Sequence, residues 1–123
     1  MRTVLLMAGL CLMGTVSAHA QDAVKVDPKH YKVELENDQV RVLRINYGAG
    51  EKSVMHSHPA SVAVFLTDGH VKFTLPDGTT KDATGKAGSV QWEAGGAHLP
   101  ENVGDKPFEL ILVELKGKSS SGK

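Results

Sequence analysis

GEKSVMHSHPASVAVFLTDG, residues 50–69, sets a histidine pair and a proline directly before an apolar run that ends in an Asp-Gly turn. In an extended strand, side chains two apart share a face, so His56 and His58 project together while Ser57 projects away. Two imidazoles so placed have the spacing to converge on one ion. The run that follows is too short for a core helix and reads as a strand, bounded as it is by proline and by Asp68-Gly69.

The same punctuation continues on both sides. Segments 31–36, 40–47, 53–58, 61–67, 70–75, 79–83, 89–93 and 108–115 have β character and are separated by Gly, Pro, Asn and Asp. Pro76-Asp77-Gly78 is a hairpin signal, because proline presets the turn and glycine accepts a positive φ. The apolar residues of segment 40–47 change parity between Val42 and Leu43, which predicts a bulge or a bend. No apolar period of 3.6 persists over three turns, so no substantial helix is expected. Seven or eight short strands predict an all-β sandwich, jelly roll or small barrel.

The ends differ from this middle. Met1-Arg2, an almost uncharged apolar stretch over 4–16 and Ala18-His19-Ala20 together read as a secretory signal cut after Ala20. The apolar run falls short of the roughly 18–20 residues that cross a bilayer, and a small-residue site ends it. The expected location is periplasmic or secreted, with no membrane association of the mature form. Cys11, the single cysteine, leaves with the signal. A packed core or an oligomer must then supply stability without disulfides. Residues 21–29 read as a polar leader, 30–116 as one β domain and 117–123, GKSSSGK, as a disordered tail. Loss of Arg2 and of no acid leaves 13 basic against 14 acidic residues. That even balance argues against nucleic acid or an anionic membrane as a partner.

Thirty residues beyond the histidine pair comes GSVQWEAGGAHLPEN, residues 88–102, where a strand-like run ends in Ala94-Gly95-Gly96-Ala97 and delivers His98. Glycines there let the backbone turn sharply. Three neutral nitrogen donors suit iron, copper, nickel, zinc or manganese better than calcium or magnesium. His30 and His70, near turns, are expected at the surface, and Trp92, Phe65 and Phe73 in the core. Val54, Val62 and Val64 are assigned the inward parity of the histidines, as walls of an apolar pocket.

With both segments in view, the chain resembles a small single-domain cupin over roughly residues 38–115. That family's first motif is G, five residues, H-x-H, three or four residues, E, six residues, G; Gly50, His56, His58 and Gly69 fit it. Its second is G, five residues, P-x-G, one or two residues, H, three residues, N; Gly88, Gly96, His98 and Asn102 fit it. The resemblance implies a jelly-roll β-barrel and a divalent transition metal held by His56, His58 and His98. Two positions depart: Val62 stands where the glutamate ligand is expected, and Ala94 replaces the motif proline. Three-histidine sites also occur among the family's thiol and diketone-cleaving dioxygenases. Ferrous iron is the expected ion for an enzyme of that kind, with zinc, manganese, nickel or copper as alternatives. Gln91 and Glu101 are candidates for a compensating oxygen.

Three functions stay open at this point. One is a metal-dependent, oxygenase-like enzyme acting on a small molecule, with no catalytic residue assigned. Another is a module that captures a small ligand or metal without turnover. The third is a metal-free structural cupin in which the histidines are hydrogen-bonded pocket residues; it pairs as a homodimer through sheet edges at 40–47 or 108–115.

Overall fold

A computed structural model describes residues 21–117. The proposed signal, residues 1–20, and all but Gly117 of the expected tail lie outside the described residues. One short helix, α1 (Ala23–Val26), precedes nine strands: β1 (Tyr31–Glu36), β2 (Val40–Tyr47), β3 (His56–His58), β4 (Ser61–Phe65), β5 (Gly69–Thr74), β6 (Thr80–Gly85), β7 (Val90–Glu93), β8 (Gly96–Asn102) and β9 (Phe108–Leu115). They form a five-stranded sheet in the order β1-β2-β9-β4-β7 and a four-stranded sheet in the order β3-β8-β5-β6. The result is the all-β jelly roll that the strand spacing predicts. No helix among the described residues is long and apolar enough to cross a membrane.

Alternation explains how the large sheet builds its inner face. Phe108, Leu110 and Leu112 of β9 are buried, as are Leu43, Ile45 and Tyr47 of β2 and Ala63 and Phe65 of β4. Cross-strand register places them in rows, Leu43–Leu112–Ala63 and Ile45–Leu110–Phe65. These rows carry the apolar burial that drives folding, and the large rings of Tyr47 and Phe108 stack at 5.2 Å to close one end. On the opposite sheet, Gly85 permits the close approach: a Cβ there would sit 2.6 Å from the Phe65 ring.

The next row, at the other end, is polar. Arg41, Glu114 and Ser61 lie in register across β2, β9 and β4 and share the inward parity. This corrects the expected bulge in segment 40–47. β2 pairs with β9 without interruption, and the register shift lies in β1 between Val33 and Leu35. The apparent parity change arises because an arginine, not an apolar residue, occupies the inward position 41.

Three further expectations change. Segments 40–47 and 108–115 are interior strands, each paired on both sides, so neither is a sheet edge for dimerisation. Residues 96–102, expected as turn and loop, form β8, because this stretch pairs with both β3 and β5. Residues 21–29 do not trail away as a leader. Ala23 is fully buried in the core, and Asp22 forms a parallel bridge with Ser57 on the open side of β3.

Candidate metal centre

β3 and β8 pair antiparallel, with His56 directly opposite His98 and His58 opposite Gly96. His56 and His58 share the inward face of β3 as the two-residue period requires. The turn into β8 depends on Gly95. Its φ is +91°, and a Cβ would lie 2.9 Å from the Ala60 nitrogen. Only glycine lets this loop lie against the 58–60 backbone and bring His98 across from the pair. The three rings meet edge to face, with centroids 4.8 Å (His56–His58), 5.0 Å (His56–His98) and 5.3 Å (His58–His98) apart. One nitrogen from each lies within 4.8 Å of the others.

Hydrogen bonds decide which nitrogen faces inward. His56 Nδ1 donates to the Val54 carbonyl at 2.8 Å, with Ser53 Oγ a longer contact at 3.4 Å. His58 Nδ1 lies 2.6 Å from Glu114 Oε2 and donates to it. Both Nε2 atoms are thereby left as bare acceptors. His56 Nε2 and His98 Nε2 are buried and have no protein partner. An unsatisfied buried polar atom costs about 1–3 kcal/mol, so two in one cluster mark a place built for a ligand. Burial, and then the neighbouring His58, push His56 down to about 4; burial, and then His58 and His56, push His98 down to about 3. Both imidazoles are neutral at pH 7, the form that ligates a metal. The donor set therefore fits a transition ion.

Glu114 is 2% exposed. Burial raises its carboxyl, but hydrogen bonds from His58 and Arg41 outweigh this and hold it below the ordinary value. Its second oxygen accepts from Arg41 Nε at 2.6 Å, and Arg41 in turn grips Asp22. The His56 side rests on Tyr31, whose ring lies edge-on at 4.8 Å and whose hydroxyl is 2.6 Å from that of Tyr47. His98 instead stacks on Phe73, at 4.7 Å and 20°.

A cavity of about 380 Å³ opens from His58 and His98 between the sheets. Ile45, Phe65, Val71, Leu110 and Leu112 line its body, and Lys81, Gln91 and Glu93 also border it. Of the pocket residues expected from sequence, Gln91 is among the lining residues; Val54, Val62, Val64 and Glu101 are not. Val54 precedes β3 and is 48% exposed. Val62 and Val64 sit between Ser61, Ala63 and Phe65, which take the inward face of β4, so both valines turn outward. A glutamate at 62 would thus miss the centre, and within the motif's latitude of three or four residues it is Ala63 that points in. Glu101 pairs with Lys72 at 3.5 Å instead. The Gln91 amide donates to the Thr84 carbonyl.

Two other expectations reverse. Trp92 is 61% exposed, paired with Val62 on the outer face. His30 is buried, stacked on Tyr47 at 4.2 Å and donating to Asp27 at 2.7 Å. Phe65 is in the core with Phe73 packed against it, and His70 is partly exposed beside Asp82. Glu114 and Arg41 are the functional residues that the apolar pattern concealed. A signal for Glu114 was present in FELILVEL, where strict alternation from Phe108 puts position 114 on the buried face.

Comparison with known proteins gives a consistent result. The cupin domain family matches residues 43–114. No curated protein matches the chain. Among solved structures, a cupin domain from Bordetella pertussis Tohama I superposes with a TM-score of 0.65 at 24% identity, over 71% of this chain and 92% of that one. An RmlC-like cupin family protein with a double-stranded β-helix fold from Methanocaldococcus jannaschii gives 0.55 at 20%, over 83% and 93%. A conserved protein with a double-stranded β-helix domain from Klebsiella pneumoniae gives 0.54 at 22%, over 72% and 84%. At these identities the likeness is one of fold. With the family's span covering more than half of the chain and both histidine motifs meeting at one point, the protein belongs to the cupin family.

Proposed function

We propose that this cupin binds a divalent transition metal ion through Nε2 of His56, His58 and His98 and uses it on a small, largely apolar molecule held in the adjoining cavity. The observation that carries the reading is the pair of buried imidazole nitrogens without a partner, in a group whose ligand atoms lie within 4.8 Å of one another. A bound ion would supply Lewis acidity and, if it is ferrous iron, oxygen chemistry of the dioxygenase type. The chain's own residues hold the three imidazoles in orientation. The apolar wall of Ile45, Phe65, Leu110 and Leu112 excludes water and selects a ligand with little charge along its body. Export to the periplasm or medium, argued from residues 1–20, belongs to the same proposal.

Capture without turnover is the second reading. It is favoured by the commitment of Glu114 to Arg41 and His58, which leaves no inward carboxylate of this row free to move a proton. One experiment separates the two. Protein loaded anaerobically with ferrous iron, one ion per chain, is expected to consume dioxygen when a thiol or a diketone is added. Stoichiometric uptake with no oxygen consumption over a broad panel would leave the capture role. Less than about a tenth of an ion per chain after reconstitution with iron or zinc would end both.

A further inference from the structure

The outer hydrogen bond of His58 and the longer outer contact of His56 lead to the same place, the segment 21–27 that precedes β1. The Ser57 amide, between the two histidines, donates to the Gln21 carbonyl at 2.9 Å. Asp22 receives the Arg41 guanidinium, with NH1 to Oδ2 at 3.3 Å. Arg41 Nε reaches Glu114 Oε1 at 2.6 Å, and Glu114 Oε2 takes the His58 Nδ1 proton at 2.6 Å. Five residues on, buried Asp27 accepts from Ser53 Oγ at 2.5 Å and from His30 Nδ1 at 2.7 Å. Ser53 Oγ is the longer contact of His56 Nδ1. Between these two carboxylates, Ala23 anchors the segment in the core. The segment lies outside the span that the family matches, residues 43–114.

We propose that residues 21–27 are a positioning strap for the metal centre, with Asp22 acting through Arg41 and Glu114 on His58, and Asp27 acting through Ser53 on His56. The strap holds the Nδ1 proton of His58 outward and so points its Nε2 inward, and on His56 it backs the bond that Nδ1 already makes to the Val54 carbonyl. An ion-binding histidine needs its second nitrogen fixed in this way, and loss of such an outer partner typically weakens affinity by about 10–100-fold. The inference rests on the metal reading for its effect on affinity, but its effect on the imidazoles is independent of any ion.

The test therefore has two readouts on the full chain. Long-range ¹H–¹⁵N spectra of the metal-free protein report which nitrogen of His58 carries the proton, and zinc titration against a chromophoric chelator reports affinity. Wild type is expected to show His58 in the Nδ1-protonated form. Asp22→Ala, which removes a partly exposed side chain, is expected to mix the His58 tautomers and to weaken zinc binding by roughly tenfold; Glu114→Gln should do more, up to about 100-fold. Asp22→Glu, which restores the charge, should recover most of both. Asp27→Asn probes the His56 branch and should weaken zinc binding, an affinity within twofold of wild type removing Asp27 from the strap; if it fails to fold, Ser53→Ala tests the same branch by the same measure. The proposal is overturned if Asp22→Ala leaves the His58 tautomer unmixed and the zinc affinity within twofold of wild type. Should wild type bind no zinc, the metal reading fails separately, and the tautomer populations alone uphold or refute the strap.

Discussion

The two strands that meet at the centre hold their histidines by different means. On β3, His56 and His58 are tethered by hydrogen bonds to Val54, Ser53 and Glu114. On β8, His98 is positioned by its stack on Phe73 and by a glycine turn that clears the 58–60 backbone. Hydrogen bonds fix a tautomer, whereas packing fixes only a plane and a distance. One wall sets which nitrogen faces the centre, and the other sets how close the third ligand comes.

The comparison can be broken most directly by removing a ligand from each wall. His56→Ala and His98→Ala are each expected to reduce zinc affinity by more than about 100-fold, beyond the loss of any outer partner, with the far-ultraviolet spectrum unchanged. Retention of tight binding in either variant would mean that the walls do not share one ion. The next largest effect is expected at Phe73. Phe73→Ala should cost stability near the lower end of the roughly 3–5 kcal/mol seen for phenylalanine truncation, measured by urea unfolding, because it removes the stack under His98. Ser53→Ala on the other wall should cost less, about 1.5 kcal/mol for the bond its hydroxyl donates to the Asp27 carboxylate. Equal costs would erase the distinction between the walls.

Acid sharpens it further. His56 and His98 are held neutral, at about 4 and about 3, against 6.5 when exposed. Below 6.5 the unfolded chain takes up protons that the folded chain refuses. The stability that these groups contribute is thus complete above pH 6.5 and is lost progressively as pH falls through about 4 and then about 3. The urea midpoint of the metal-free protein should drop between pH 7 and pH 5, and the drop should be smaller in His98→Ala. A midpoint that stays level over that range would contradict the neutral, buried assignment. The smallest effect is expected from Val62→Glu. The side chain turns away from the centre, so zinc affinity should stay within about threefold of wild type, whereas a gain of tenfold or more would place the motif's acid position at 62 after all.

Much of this architecture was legible before coordinates. Period-two spacing put His56 and His58 on one face, and the Gly95-Gly96 turn marked where His98 is delivered, although the strand that carries it, β8, reads as loop. The misplaced Val62 and Val64 have one cause: the parity of His56 and His58 does not carry on past Pro59-Ala60, where the chain leaves the small sheet for the large one. Val62 and Val64 look like an inner face, but Ser61, Ala63 and Phe65 take it, in register with Glu114, Leu112 and Leu110 of β9. Arg41 broke the pattern of β2 for a different reason, since an inward ion pair with Glu114 satisfies alternation in chemistry that a hydropathy count does not register. Residues 21–29 carry too few apolar groups to reveal docking, which depends on Ala23 and on carboxylates whose partners are distant in sequence.

Glu114 also joins the two layers of the sandwich, for it stands on the large sheet while the histidine it grips stands on the small one. Breathing of the layers and escape of an ion would then be a single motion. How long an occupant stays would be governed by the tightness of the whole roll, and not by the three donors alone.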